Sequence, residues 1–248
     1  MPRLGATRDR VGALDRPAGG GAPWRVRAVV TAAAVAAFAA GAWAALDPGR
    51  AGLALLLVAA GLVVAGAAWL DAGPRISKEI AVVATLGAVA AAGRVLFATV
   101  PGVQPVTVIV LAAGAALGPR AGIGVGATAA LASNFFLGQG IWTPWQMLAW
   151  GACGGLGGLV PRLLGRRLSF AAVAAVAGFG FSFLMDVWQW LSFYPHTWEA
   201  FSVQIARGVP FDLAHAIGNV VIALAVGPEL LRVLGRYGRR LRTEIAWN

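Results

Sequence analysis

The sequence is short of every residue type that usually marks a soluble catalytic domain or a disulfide-built one. Cys153 is the single cysteine among 248 residues, which excludes an internal disulfide framework and a cysteine-rich zinc site. Two histidines, His196 and His215, and ten acidic residues are scattered without the short spacing of metal ligands, so no metal site is expected. Gly122-Ile123-Gly124-Val125-Gly126 lacks the lysine and hydroxyl residue that complete a phosphate-binding loop, so ATP hydrolysis is not expected of this chain. Charged residues are only 12% of the total, about half the share in soluble domains, whereas 59% are apolar and the mean hydropathy is +0.75. That composition is too apolar for a water-soluble globule and too hydrophobic for a disordered chain. Glycine, by contrast, is abundant at 34 residues, and with many alanines it points to closely packed transmembrane helices. The expected class is an all-α integral membrane protein.

Residues 1–25 are rich in Arg, Gly and Pro and read as a disordered tail. Apolar runs follow at 26–46, 51–70, 80–97, 106–117, 121–137, 145–164, 170–191 and 210–233. A hydrocarbon core of about 30 Å needs about 20 apolar residues in a helix. The fourth run falls short of that and is bracketed by Pro105 and Gly118-Pro119, so it reads either as a crossing or as a re-entrant piece. The basic residues choose between them. With a cytoplasmic N-terminus and eight crossings, seventeen of the twenty basic residues lie on one side, including Arg75, Lys78, Arg120, Arg162, Arg166, Arg167 and the run from Arg232 to Arg242. Arg50 and Arg207 fall outside, and Arg94 lies within a span. This skew matches the positive-inside rule, and removing one crossing would reverse every later loop, so the fourth run is expected to cross. The formal charge of +10 therefore reads as topology, not as a nucleic-acid footprint. The first run, with an Arg-rich flank and Ala40-Gly41-Ala42, also resembles a signal peptide; its length favours a retained helix.

On this topology the polar residues within and beside the spans gather on the outer side. They are Arg94, Gln104, Thr107, Asn134, Gln139, Gln146, Asp186, Gln189, Asp212, His215 and Asn219, with His196 in a loop. His215 and Asn219 are one helical turn apart on one face. Ionisable groups at membrane depth cost several kcal/mol unless they are paired or face a cavity, so their convergence from several helices points to an outward-facing pocket. Arg94 and Asp186 also read as an interhelical ion pair, and Asp212 and His215 as a helix cap and a packed interfacial histidine. Trp142, Trp145, Trp150, Trp188, Trp190 and Trp198 lie in the same layer, either as an aromatic belt or, in part, as the lining of a site. Gly151, Gly154, Gly155 and Gly158 form a small-residue packing face, and Ala84, Ala88 and Ala92 give the third run a similar smooth stripe.

Residues 76–234 resemble the substrate-binding S component of energy-coupling factor (ECF) transporters, a family of vitamin importers. The resemblance rests on a six-helix hydrophobic core and on Arg94-Val95-Leu96-Phe97 followed by Pro101-Gly102-Val103-Gln104-Pro105. It rests further on Gly118-Pro119-Arg120-Ala121-Gly122, and most of all on the segment from Ser133-Asn134-Phe135-Phe136 through Gln139 and Trp142-Thr143-Pro144-Trp145-Gln146-Met147. The first two helices, within 26–75, lie outside that six-helix pattern, and a basic cytoplasmic tail is expected at 235–248.

The resemblance implies a binding protein and not an enzyme, with no cofactor and no catalytic residues. Its solute would be held by Arg94, Gln104, Asn134, Gln139, Trp142, Trp145, Gln146, Asp186, Gln189, His215 and Asn219. The implied partners are a vitamin-like solute (a flat or aromatic one, with a corrinoid among the candidates), a transmembrane coupling subunit with an ATPase pair, and membrane lipid. No nucleic acid is implied. In the family an A-x-x-x-A motif forms the docking face, and Ala84, Ala88 and Ala92 match it. Nickel and cobalt members carry a histidine after the initiator methionine, whereas this chain reads Met1-Pro2-Arg3, which argues against metal uptake. The implied location is a bacterial-type plasma membrane with both termini cytoplasmic. Two readings from other classes stand beside this one: an integral-membrane enzyme using Asp186, Asp212 and His215 as acid–base groups, and a structural or assembly protein.

Overall fold

The computed structural model describes residues 24–50, 52–54, 56–58, 60, 61, 64 and 74–244. Positions 1–23 of the expected disordered tail lie outside the described residues, as does much of the second apolar run at 51–70. The described elements are helices α1 (Trp24–Ala44), α2 (Pro74–Leu96), α3 (Val106–Leu117), α4 (Pro119–Leu137), α5 (Thr143–Leu159), the single turn α6 (Pro161–Leu164), α7 (Arg167–Phe193) and α8 (Trp198–Glu244). A 3-10 turn at Pro48–Arg50 follows α1, and no strand occurs among the described residues.

Local chemistry sets the breaks. Pro119, Pro144 and Pro161 stand in the first turns of α4, α5 and α6, where a missing N–H costs nothing. Gly118 turns the corner from α3 to α4 at a φ of 104°, which side chains with a Cβ rarely adopt. The sixth apolar run, read as continuous over 145–164, is instead two helices parted at Val160, because a residue before proline is pushed out of helical geometry.

Helix α3 lies at the centre, touching α2, α4, α5, α7 and α8. At 12 residues it spans roughly 18 Å, yet eight of the twelve are buried and none is exposed. A helix that is apolar all round belongs in the interior of a bundle. Its length therefore answers to its neighbours and not to a bilayer. Around it, α7 packs on α8 and α4 packs on α5 and α2. The exterior is strongly apolar: Leu96 and Phe136 are 79% and 78% exposed, and Phe135, Val176, Ile217 and Val221 also face outward. Among the described residues three helical stretches are long and apolar enough to cross a membrane, Lys78–Leu96, Arg167–Phe193 and Trp198–Arg240.

The backbones of α3, α4 and α5 meet almost directly. A Cβ added at Gly122 would strike the Gly154 carbonyl, one at Gly154 would strike that of Gly122, and one at Gly126 would strike that of Trp150. Of the predicted glycine face, Gly154 and Gly158 make these approaches, whereas Gly151 and Gly155 meet the side chain of Ile123.

The last helix exceeds its apolar run. The run begins at Pro210, but α8 extends from Trp198 to Glu244 with Pro210 and Pro228 inside it. Residues 235–244, expected as a tail, are therefore helical, and 245–248 lie outside the described residues. At 47 residues α8 measures roughly 70 Å. Pro228 cannot donate to the Leu224 carbonyl. Arg167, at the start of α7, takes that carbonyl with Nε at 2.9 Å and Nη2 at 2.5 Å.

The glycine contacts yield a test. Gly154→Ala should cost about 1–3 kcal/mol, as overpacking against a backbone does. Gly151→Ala, with 3.6 Å of clearance, should be neutral or slightly stabilising, since alanine is the better helix former. Unfolding in mixed detergent micelles reads both, and equal costs would refute the close-approach account.

Candidate functional site

The polar side chains gather at the end of the bundle where α2, α4 and α7 finish and α3 and α5 begin. Arg94, in the last turn of α2, is 8% exposed. Its Nη1 donates to Ser133 Oγ at 2.6 Å and to Asn134 Oδ1 at 2.5 Å, and its guanidinium carbon lies 4.9 Å from the centre of the Trp150 ring. Asn134 then donates from Nδ2 to Thr143 Oγ1 and Gln146 Oε1, both at 2.9 Å. Thr143 donates to Gln139 Oε1 at 2.9 Å, and Gln139 Nε2 returns to the Leu131 carbonyl at 3.0 Å. Four of the predicted ligand residues, Arg94, Asn134, Gln139 and Gln146, thus form one network across α2, α4 and α5.

Trp150 continues that network inward. It is fully buried, so it is no part of an interfacial belt; its ring stacks on Phe181 at 4.1 Å, and its Nε1 donates to Thr107 Oγ1 at 3.2 Å. Thr107 Oγ1 lies 3.5 Å from His215 Nε2, and His215 Nδ1 lies 2.7 Å from the Gly102 carbonyl. A carbonyl only accepts, so Nδ1 carries the proton and Nε2 is left to accept from Thr107. Asn219 Nδ2 donates to the His215 carbonyl at 2.9 Å, one turn back on α8.

A third group lies along α7 and α8. Gln204 Nε2 donates to Gln189 Oε1 at 2.7 Å and to Asp186 Oδ1 at 3.3 Å. A Cβ at Gly208 would fall on the Asp186 carboxylate, so this glycine lets the acid lie against α8. Asp212 is fully buried one turn further on. The ion pair considered between Arg94 and Asp186 does not form, since Arg94 turns to Ser133, Asn134 and Trp150 while Asp186 turns to Gln204.

Two predicted ligand residues have other partners. Trp145 Nε1 donates to the Ala42 carbonyl at 3.1 Å, and Trp142 Nε1 to the Gly138 carbonyl at 3.3 Å. With Trp188, whose Nε1 lies 3.4 Å from the Ala45 carbonyl, they pack around the C-terminus of α1 and satisfy carbonyls that a helix end leaves open. Gln104, in the loop before α3, is half-buried and its Oε1 has no partner among the described residues. The same holds for the buried atoms Arg94 Nε, Ser182 Oγ, Asp186 Oδ2, both Asp212 carboxylate oxygens and Asn219 Oδ1.

Residues 74–232 match a protein family described as a family of unknown function, DUF6580. The chain belongs to the DUF6580 family. Comparison with curated proteins and with solved structures gives no match. In this DUF6580 protein the family segment opens at the first residue of α2 and closes within α8, so it holds all three polar groups and leaves α1 outside. Ser182 and Gln204 joined the site without being singled out in the sequence, and Ser133 and Thr143 stood there only within the segment that carries the resemblance. Ser133 adjoins Asn134, and Ser182 precedes Asp186 by one helical turn, so periodicity could have flagged both. Gln204 lay in a stretch read as a loop.

Asn134 is the junction of the DUF6580 site. Asn134→Ala should destabilise the fold by about 3 kcal/mol, because it leaves a buried guanidinium short of an acceptor, whereas Gln146→Ala should cost about 1 kcal/mol. Reversible unfolding of purified protein measures both. Equal, small losses would remove Asn134 from the centre of the network.

Proposed function

We propose that this protein spans a bacterial-type plasma membrane several times and captures a small solute at its polar end, as the substrate-specific component of an ECF-type importer. The observation that carries solute capture is the set of buried polar atoms, drawn from α2, the loop before α3, α7 and α8, that lack partners among the described residues at one end of the bundle. Such groups are costly in an apolar medium unless something else meets them. Membrane insertion is supported by the apolar exterior and the three long apolar helices. Lys78, Arg120, Arg162, Arg166, Arg167 and the arginines late in α8 lie toward the opposite end, which the positive-inside rule then makes cytoplasmic. The importer reading draws on the resemblance of 76–234 to S components. It is also supported by Ala84, Ala88 and Ala92, which all lie exposed on α2 and so suit a coupling subunit with an ATPase pair as partner. The solute is vitamin-like, flat or ring-containing, with a corrinoid as the largest candidate, and it is released unchanged. An acid–base enzyme would use Asp186 and Asp212 instead, and would return altered material.

Protein extracted in mild detergent without added solute should release one vitamin-like molecule to mass spectrometry and rebind it with submicromolar affinity. Gln104→Ala should weaken that affinity about tenfold, the worth of one hydrogen bond, at an unchanged thermal midpoint. Ala88→Trp should lose the coupling subunit and ATPases on co-purification while keeping solute binding. Absence of any solute, or turnover of it that Asp186→Asn abolishes, would overturn this function.

A further inference from the structure

Among the described residues Asp186 of α7 and Asp212 of α8 form no ion pair, whereas Glu229 of α8 pairs with Arg232. The two helices run antiparallel: Gly178 meets Asn219 and His215, Phe181 meets His215, Asp186 meets Gly208 and Gln204, and Gln189 meets Gln204. In this register Ser182, one turn before Asp186 on the same face of α7, stands opposite Asp212. Asp212 is 1% exposed and Ser182 is 3% exposed. Both Asp212 carboxylate oxygens, Asp186 Oδ2 and Ser182 Oγ lack a hydrogen-bond partner among the described residues. Gln204 supplies one hydrogen bond, 3.3 Å long, to the far oxygen of Asp186. Arg94 is engaged by Ser133, Asn134 and Trp150. A buried carboxyl group, a half-buried one and a buried hydroxyl, with no basic partner among the described residues, are costly in an apolar bundle unless a positive species joins them.

We propose that the α7–α8 seam binds a monovalent cation between the carboxyl groups of Asp186 and Asp212, with the Ser182 hydroxyl as a neutral ligand. A divalent ion suits the seam less well. Calcium takes six to eight oxygens, and among the described residues no third acid, histidine or cysteine joins the pair in a metal-binding group. Two carboxyls that share one proton and one monovalent cation are neutral together, as close carboxyl pairs tend to be. An alkali ion and the ammonium head of a solute both offer this chemistry. As an alkali-ion site it needs no bound solute and can fail while solute capture stands; as an ammonium site it rests on that reading and gives the solute its charge.

The test uses full-length purified protein and follows thermal unfolding by tryptophan fluorescence. Sodium, potassium and methylammonium chloride are titrated in turn, with N-methyl-D-glucamine chloride holding ionic strength constant. At least one of the three should raise the midpoint saturably, because an ion that binds only the folded state stabilises it. A response to sodium or potassium assigns an alkali ion; a response to methylammonium alone assigns an ammonium head. Asp212→Asn and Asp186→Asn, which keep shape and remove charge, should each abolish the saturable rise. Their midpoints without added salt should equal or exceed that of the unsubstituted protein. No rise above the N-methyl-D-glucamine control, a rise that survives both substitutions, or a response to magnesium or calcium alone would each overturn the proposal.

Discussion

A guanidinium inside an apolar bundle has to be compensated by whatever surrounds it, and at Arg94 that requirement fixes the ends of several helices at once. Among the described residues no acid pairs with this charge. Its compensation comes from the Ser133 hydroxyl, the Asn134 amide oxygen and the face of Trp150, a combination of charged hydrogen bonds and cation–π attraction. To supply it, the end of α4 must reach the end of α2, and α5 must carry Trp150 alongside. The turn over 138–142 must fold so that Thr143 and Gln146 hold the Asn134 amide with its oxygen toward Arg94. Trp150 is held in turn by Thr107 of α3 and Phe181 of α7, so the compensation of one charge engages five helices.

The placement of Asn134 depends on small residues further along the same face. Gly122, Gly126, Ala130 and Asn134 recur every four residues on α4, and the antiparallel pairing with α5 sets Gly122 against Gly154 and Gly126 against Trp150. Two turns on, the same register sets Asn134 against Thr143, where the hydrogen bond forms at 2.9 Å. A side chain inserted at Gly122 would separate the two helices there and pull the polar pair apart at their ends. Packing and site are thus one stripe, small where backbones meet and polar where the helices end.

The sequence patterns that were legible are those in which a residue's neighbours along the chain decide its state. Apolar runs marked out most helices because burial and helical period act locally, and Pro161 carried a break that the composition of its run concealed. Pro210 misled in the other direction. A proline reads as a helix start, yet α8 passes through both Pro210 and Pro228, and at Pro228 the freed Leu224 carbonyl is met by Arg167, 57 residues away in sequence. No local pattern announces such a partner. The site divides in the same way. Its residue types and its end of the bundle could be read from the charge skew and the clustering of amides. Its pairings could not, and so Arg94 read equally as a ligand or as the partner of Asp186. Trp145 and Trp188 likewise looked like belt or pocket residues until α1 placed its terminal carbonyls beside them.

Arg94 and the acids have separate partners: Ser133, Asn134 and Trp150 for the guanidinium, Gln204 for Asp186. Phe181 covers one face of Trp150 at 4.1 Å and leaves the other to the guanidinium, while Phe181 itself meets His215 at 5.5 Å. Had Arg94 met Asp186 directly, the outcome would have been an inert buried pair, with each partner's lone pairs and protons committed. As it is, the positive charge is engaged by structure while the Asp212 carboxylate is not. Low polarity around an unmatched acid makes any interaction it does form stronger than the same interaction in water. The chemistry open to this end of the bundle is therefore set by its acceptors, and a species bearing positive charge or several hydrogen-bond donors fits it better than an anion does.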